Sequence, residues 1–217
     1  MKQPRVILAG TRSFGAAALA ELVVNLDTIV ELVVAPLGDA LYNTAKYDLG
    51  IDVETDLHYQ DVEAFSPDLI VGAHMHQFIG KKSRAASRYG AVIGHPSLLP
   101  RHRGKSSVEW TIKMGDPVAG FTWFVADSGI DTGSIVTQAH CHVVPGWSAS
   151  DLWRERLFPM GISLLKDAID LDKVVAATPQ DTRVATWEPA LENVPSLKRV
   201  ELDEIADRPH APLAHQA

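Results

Sequence analysis

Three short apolar runs, residues 6–10 (VILAG), 29–35 (IVELVVA) and 69–73 (LIVGA), constrain this chain more than any other feature. Each is too brief for a helix, is bounded by polar or glycine-containing sequence, and is apolar almost throughout rather than alternating. That pattern belongs to strands covered on both faces, which are parallel strands joined by crossovers. The first run continues through Thr11, Arg12, Ser13, Phe14 and Gly15, which read as a glycine turn, into the alanine-rich segment 16–24, which reads as a helix.

The second half changes character. Residues 91–94 form a short strand, 106–114 a helix, 120–126 a strand with alternating faces and 134–144 a further strand. A tight glycine-containing loop joins the last two and favours antiparallel pairing. The expected fold class is therefore α/β, a mixed, mostly parallel sheet with helices on both faces. Ser148 is suited to cap a long amphipathic helix reaching about residue 171, and beyond Pro179 the chain turns polar and proline-rich. These features divide the chain into one domain over residues 1–187 and a short extension or tail over 188–217.

Composition narrows the function. With 217 residues, 46% of them apolar, the chain can bury one substantial core. A net charge of -7 disfavours nucleic acid as a partner, because phosphate-backbone affinity rests on clustered Lys and Arg. Cys141 is the only cysteine, so no internal disulfide can form. The opening apolar run ends at Ala9, too short for a signal-peptide core or a membrane span, so a cytoplasmic location without membrane contact is expected. Oligomeric state is left open.

Two loops carry the chemical information: residues 95–104 (HPSLLPRHRG) and 127–133 (DSGIDTG). Both are rich in Pro or Gly and serve no periodic apolar face, so packing accounts poorly for His95 and Asp131. A positioned imidazole and carboxylate can move protons. Other motifs are incomplete. Gly10 and Gly15 lack the middle glycine of a dinucleotide fingerprint, since position 12 is Arg, and Gly104-Lys105-Ser106 lacks the earlier glycine of a phosphate loop. His74 with His76, and His140 with His142, have the spacing of ligands on one strand face but no evident third partner, so no metal is expected. Arg101, His102 and Arg103 either meet an anionic group or form a solvated loop.

Taken with Gln77-Phe78-Ile79, Trp110-Thr111, Gly120-Phe121, Ala126-Asp127, Arg156-Leu157-Phe158-Pro159 and Gly161-Ile162, these loops resemble the formyltransferase family that uses 10-formyltetrahydrofolate. The likeness runs from the first strand to about Trp187. It is strongest to the amino-terminal hydrolase domain of 10-formyltetrahydrofolate dehydrogenase and extends to methionyl-tRNA formyltransferase catalytic domains. It implies a Rossmann-like formyltransferase fold with folate at the carboxyl ends of the parallel strands. By the same resemblance His95 and Asp131 are the catalytic pair. His76, Phe78, Ile79, Asp127, Ser128, Gly129 and Ile130 line the folate site; Arg101 and Arg103, read from their charge alone, are the candidates for binding an anionic group of the substrate.

One position departs from the transferases. They carry an asparagine two residues before the histidine, where this chain has Ile93, as the dehydrogenase's hydrolase domain does. Isoleucine donates no hydrogen bond, and losing one oxyanion donor costs about 10² to 10³ in rate. The chain also stops soon after the catalytic module, which makes tRNA a poor acceptor in expectation. The expected activity is formyl transfer from 10-formyltetrahydrofolate to a small amine. Hydrolysis of the same donor is the alternative, and folate binding without turnover a further one.

Overall fold

Residues 3–75 and 77–191 are described by a computed structural model. In chain order the elements begin with β1 (Arg5–Gly10), α1 (Arg12–Ala20), β2 (Ile29–Val34), α2 (Ala40–Asn43), β3 (Val53–Glu54), α3 (Tyr59–Phe65), β4 (Leu69–Ala73) and α4 (Lys81–Ala86). They continue with β5 (Ala91–His95), α5 (Ser107–Met114), β6 (Val118–Val125), β7 (Ile135–His142), α6 (Ala149–Leu152), α7 (Phe158–Ser163), α8 (Leu165–Ala168) and α9 (Leu171–Val175). The described strands form a seven-stranded sheet ordered β3-β2-β1-β4-β5-β6-β7. The pairings from β3 through β5 are parallel; β6 and β7 run antiparallel.

Alternate residues of the central strands feed two apolar layers, as strand geometry requires. Val6, Leu8, Val33 and Val71 face a layer built from Phe14, Ala18 and Leu19 of α1 together with Leu157, Leu165 and Ala168 of the late helices. Phe14 is its hub, with ring centroids 5.5 Å from Phe121, 5.4 Å from Trp153 and 5.3 Å from Phe158. Ile7, Ala9, Leu32, Val34, Ile70 and Ala91 face the other layer, closed by Leu57, Val62 of α3 and Ile79. Helices on both faces and a mixed sheet agree with the fold class expected from the sequence.

Several boundaries differ from expectation for local reasons. The first helix starts at Arg12 rather than at residue 16, because Phe14 must be helical to reach the aromatic hub and Gly15 lets the helix close on Leu41, whose Cδ2 lies 2.9 Å from where a Cβ would sit. Ser148 does cap the late helix, in a reciprocal capping box with Asp151. That helix does not run unbroken to residue 171. It widens into a π turn over Trp153–Leu157 just before Pro159, which cannot donate a backbone hydrogen bond. The two-residue strand β3 leaves no periodic trace and was not anticipated.

The sheet order positions the site. The crossovers leave β1 toward β2 and later return to its other side at β4, so the carboxyl ends of β1 and β4 flank a switch point. The strands approach closely there: a Cβ on Gly10 would lie 2.2 Å from the carbonyl oxygen of Ala73. The Thr11 hydroxyl donates to the His74 carbonyl at 2.9 Å across the same gap. The neighbouring strand β5 ends at His95.

Candidate functional site

The loop that follows His95 is held from two sides. Thr122 of β6 donates through its hydroxyl to the Ser97 carbonyl at 2.7 Å and accepts the Leu99 N–H at 3.2 Å. Gln138 of β7 donates to the Leu99 carbonyl at 3.0 Å. The far half of the loop is tied to a distant part of the chain. The His102 N–H donates to the Thr186 hydroxyl at 2.8 Å, Arg103 N–H to the Thr186 carbonyl at 3.1 Å, and Thr186 N–H to the Pro100 carbonyl at 3.1 Å.

This bracing fixes the His95 ring. Its Nε2 lies 2.8 Å from the His102 carbonyl oxygen. A carbonyl only accepts, so Nε2 carries the proton, and Nδ1 is left facing the Asp131 carboxylate at 3.6 Å. That separation is an ion-pair distance too long for a direct hydrogen bond. The two side chains are only 10% and 18% exposed.

Asp131 is set from its own loop. It takes a left-handed backbone, φ 53°, which Asp tolerates better than most residues, and its Oδ2 accepts the Gly104 N–H at 2.7 Å. Asp127 closes the turn by accepting from Gly129 N–H at 2.9 Å and the Thr132 hydroxyl at 2.6 Å. Gln180 locks the loop from below, its amide donating to the carbonyls of Asp131 at 2.9 Å and Gly133 at 2.7 Å. The same amide oxygen accepts from Arg103 Nε at 3.1 Å and from its terminal nitrogen at 2.8 Å. A pocket of about 320 Å³ lies between residues 125–127, 132–134 and the pair Pro179 and Gln180.

The remaining sequence-predicted residues fall into distinct settings. Ile93 packs over Gly72, where a Cβ would meet its Cγ1 at 3.2 Å, and joins an apolar wall with Met75, Ile79 and Ala126. Ile79 is buried in that wall, whereas Phe78 and Ile130 are 61% and 59% exposed. Asp127 and Ser128 are exposed and Gly129 half-buried. His76 lies outside the described residues. The Arg101 guanidinium is engaged by Asp116, with two contacts of 2.7 Å, and Arg103 by Gln180, so both cations are paired within the chain. Among the described residues no group of three His, Cys, Asp or Glu side chains has the arrangement of a metal site; His140 and His142 lie exposed on β7. A larger groove of about 550 Å³, beside β2 and β3 and lined by Lys46, Asp52, Glu54 and Asp61 among others, shares no residue with this cluster.

Behind the pair lies a buried ionic cluster that the sequence does not announce. His102 is 2% exposed, with Nε2 at 2.7 Å from Asp116 Oδ2 and Nδ1 at 3.0 Å from Glu188 Oε2. The Nδ1 contact is close but poorly aimed for a hydrogen bond, so it counts as an ion-pair contact. Arg101, and after it His102, hold the Asp116 carboxyl below the usual carboxylate range. Glu188 sits in the polar segment after Pro179, where no periodicity or motif signals a buried role.

Residues 51–168 match the model of a family described as formyl transferase. Mouse mitochondrial 10-formyltetrahydrofolate dehydrogenase is 43% identical over 132 residues, 60% of this chain and 14% of that protein. Methionyl-tRNA formyltransferase of Syntrophus aciditrophicus is 34% identical over 151 residues, 68% of this chain and 48% of that protein. The chain thus spans about a seventh of the dehydrogenase and about half of the second relative. Among solved structures, glycinamide ribonucleotide transformylase 1 from Symbiobacterium toebii superposes with a TM-score of 0.69 at 20% identity, covering 82% of this chain and 95% of that one. HypX from Aquifex aeolicus in complex with tetrahydrofolic acid gives 0.65 at 18% identity, over 87% and 30%. At such identities these two likenesses speak to the fold alone.

Proposed function

The chain belongs to the formyl transferase family, and on that premise we propose that it transfers the formyl group of 10-formyltetrahydrofolate to a small amine, with His95 and Asp131 as its catalytic pair. The observation that carries the proposal is the His95 ring, whose Nε2 proton is committed to the His102 carbonyl and whose Nδ1 faces Asp131 from the end of β5. The pocket of about 320 Å³ between residues 125–127, 132–134 and the pair Pro179 and Gln180, which adjoins the Asp131 loop, is where we place part of the folate.

The bound donor supplies a formyl carbon that bonds to an amine nitrogen as its bond to the folate N10 breaks, with one proton leaving the amine and one reaching N10. His95 Nδ1 is the atom available for that proton, since Nε2 is already occupied. Once Nδ1 is protonated the ring is an imidazolium, able to donate to the formyl oxygen as negative charge builds there. Asp131 faces the cation so formed and stabilises it, while the Gly104 N–H keeps the carboxylate in place. Arg101 and Arg103 act in this scheme through the loops they brace.

Ile93 favours a second reading, hydrolysis, in which water replaces the amine. With isoleucine at position 93 in place of the transferases' asparagine, that side chain offers no donor and His95 is left as the main one. The net charge of -7 supports a small acceptor over a nucleic acid. No helix among the described residues is long and apolar enough to cross a membrane. Purified protein incubated with 10-formyltetrahydrofolate, with and without a panel of small amines, tests the proposal. Formylated amine appearing with tetrahydrofolate supports transfer, formate without amine supports hydrolysis, and folate binding with neither product refutes both.

A further inference from the structure

We infer that His102, held between Asp116 and Glu188, is a positioning residue that keeps the proton of His95 on Nε2 by fixing the carbonyl that accepts it. The inference rests on the catalytic role proposed for His95 and adds a device that lies behind the reacting atoms. It also reaches beyond the family-matched residues 51–168, because Glu188 and Thr186 belong to the strap that follows them.

Among the described residues the backbone carbonyl of His102 is the hydrogen-bond partner of His95 Nε2, and every polar group of residue 102 is tethered. Its N–H is bound by Thr186, its ring nitrogens face Asp116 and Glu188, and its φ of 57° lies in the left-handed region, uncommon for any residue but glycine though His is among those found there more often. A residue in that conformation stays there only when its surroundings over-determine it. Here they do so by charge. Asp116 accepts from Arg101 as well as from His102 Nε2, so His102 Nε2 must carry a hydrogen. On the other side of the ring, Nδ1 faces the Glu188 carboxylate at 3.0 Å, an ion-pair contact between two side chains that are 3% and 8% exposed. Replacing His102 by an apolar ring removes the ion-pair contact to Glu188 and the bond to Asp116, and the loop loses the tether that aims its carbonyl.

The test uses the full chain and reads His95 directly. A hydrogen-bonded imidazole N–H, assigned by its absence from His95→Ala, is followed by proton NMR alongside kcat and KM for 10-formyltetrahydrofolate. In His102→Phe we expect the His95 resonance to be lost to solvent exchange and kcat to fall about 10²-fold, the scale of a displacement near 1 Å at a reacting group. KM is expected to stay within about twofold, since the proposed folate pocket is untouched. Glu188→Leu is expected to behave like His102→Phe, whereas Glu188→Gln, which can pair with Nδ1 in either protonation state, keeps both resonance and rate. If His102→Phe fails to fold, the two Glu188 variants decide. A His102→Phe or Glu188→Leu protein that retains the resonance with kcat within about threefold overturns the inference, as does a Glu188→Gln protein as impaired as Glu188→Leu. A wild-type protein without turnover refutes the proposed function instead, and the resonance still judges the positioning role.

Discussion

Replacing Asp131 by Asn removes a charge while leaving an oxygen able to accept the Gly104 N–H. Two unit charges at the 3.6 Å of the His95–Asp131 pair attract by about 4–5 kcal/mol at an effective dielectric near 20. Partial solvent access to both side chains lowers the usable part to about 3 kcal/mol. In the proposed mechanism His95 is cationic only as the reaction proceeds, so this energy is available in the transition state and not in the bound ground state. At about 1.4 kcal/mol per factor of ten, kcat should fall by about 10² or more, with folate affinity held within about tenfold. Single-turnover release of tetrahydrofolate measures the first quantity, and quenching of tryptophan fluorescence by a non-reactive folate measures the second. An Asp131→Asn protein with kcat within about fivefold of wild type refutes the electrostatic argument. So does one whose loss lies entirely in folate affinity.

Three further outcomes follow from the surrounding structure. Gly133→Ala would place a Cβ 1.6 Å from the Val125 carbonyl oxygen and is expected to destabilise by about 3 kcal/mol or more in chemical denaturation. Gln180→Leu strips partners from Arg103 and from two loop carbonyls and is expected to cost about 2–3 kcal/mol, seen as a lowered Tm; an unchanged Tm contradicts the bracing role. Asp116 has a folded-state pKa below its unfolded value, so its contribution is fully present above about pH 4 and is lost as pH falls through the folded value. The Tm difference between wild type and Asp116→Asn should therefore be largest near neutrality and shrink in acid, and a pH-independent difference would count against it.

The parts of the fold legible in the sequence were those written in local pattern. The run at residues 69–73 is β4, and the second run became β2 with one residue trimmed, because continuous apolar character over five or six positions has few other outcomes. Ser148 was legible as a cap from its residue type at the start of an amphipathic segment, and the structure adds its reciprocal partner Asp151. The strand β3 escaped because two residues carry no period, and the π turn at Trp153 escaped because Pro159 acts several residues upstream of itself. For the site, His95 and Asp131 stood out as residues with no packing duty, and the fold brings them within 3.6 Å. Which ring nitrogen faces Asp131 depends on a backbone carbonyl seven residues on, which no side-chain pattern encodes. Arg101 and Arg103 offered only their charge to the sequence; their partners Asp116 and Gln180 lie 15 and 77 residues away.

The strap over residues 186–188 has a consequence for how the molecule comes into being. A growing chain can assemble its strands and aromatic hub once residues up to Phe158 have emerged. The loop after His95 must then wait for a hydrogen bond to a residue 84 positions downstream. During synthesis the sheet therefore precedes the geometry of the His95 ring, and a nascent chain halted before Thr186 would carry both His95 and Asp131 without the strap that aligns them.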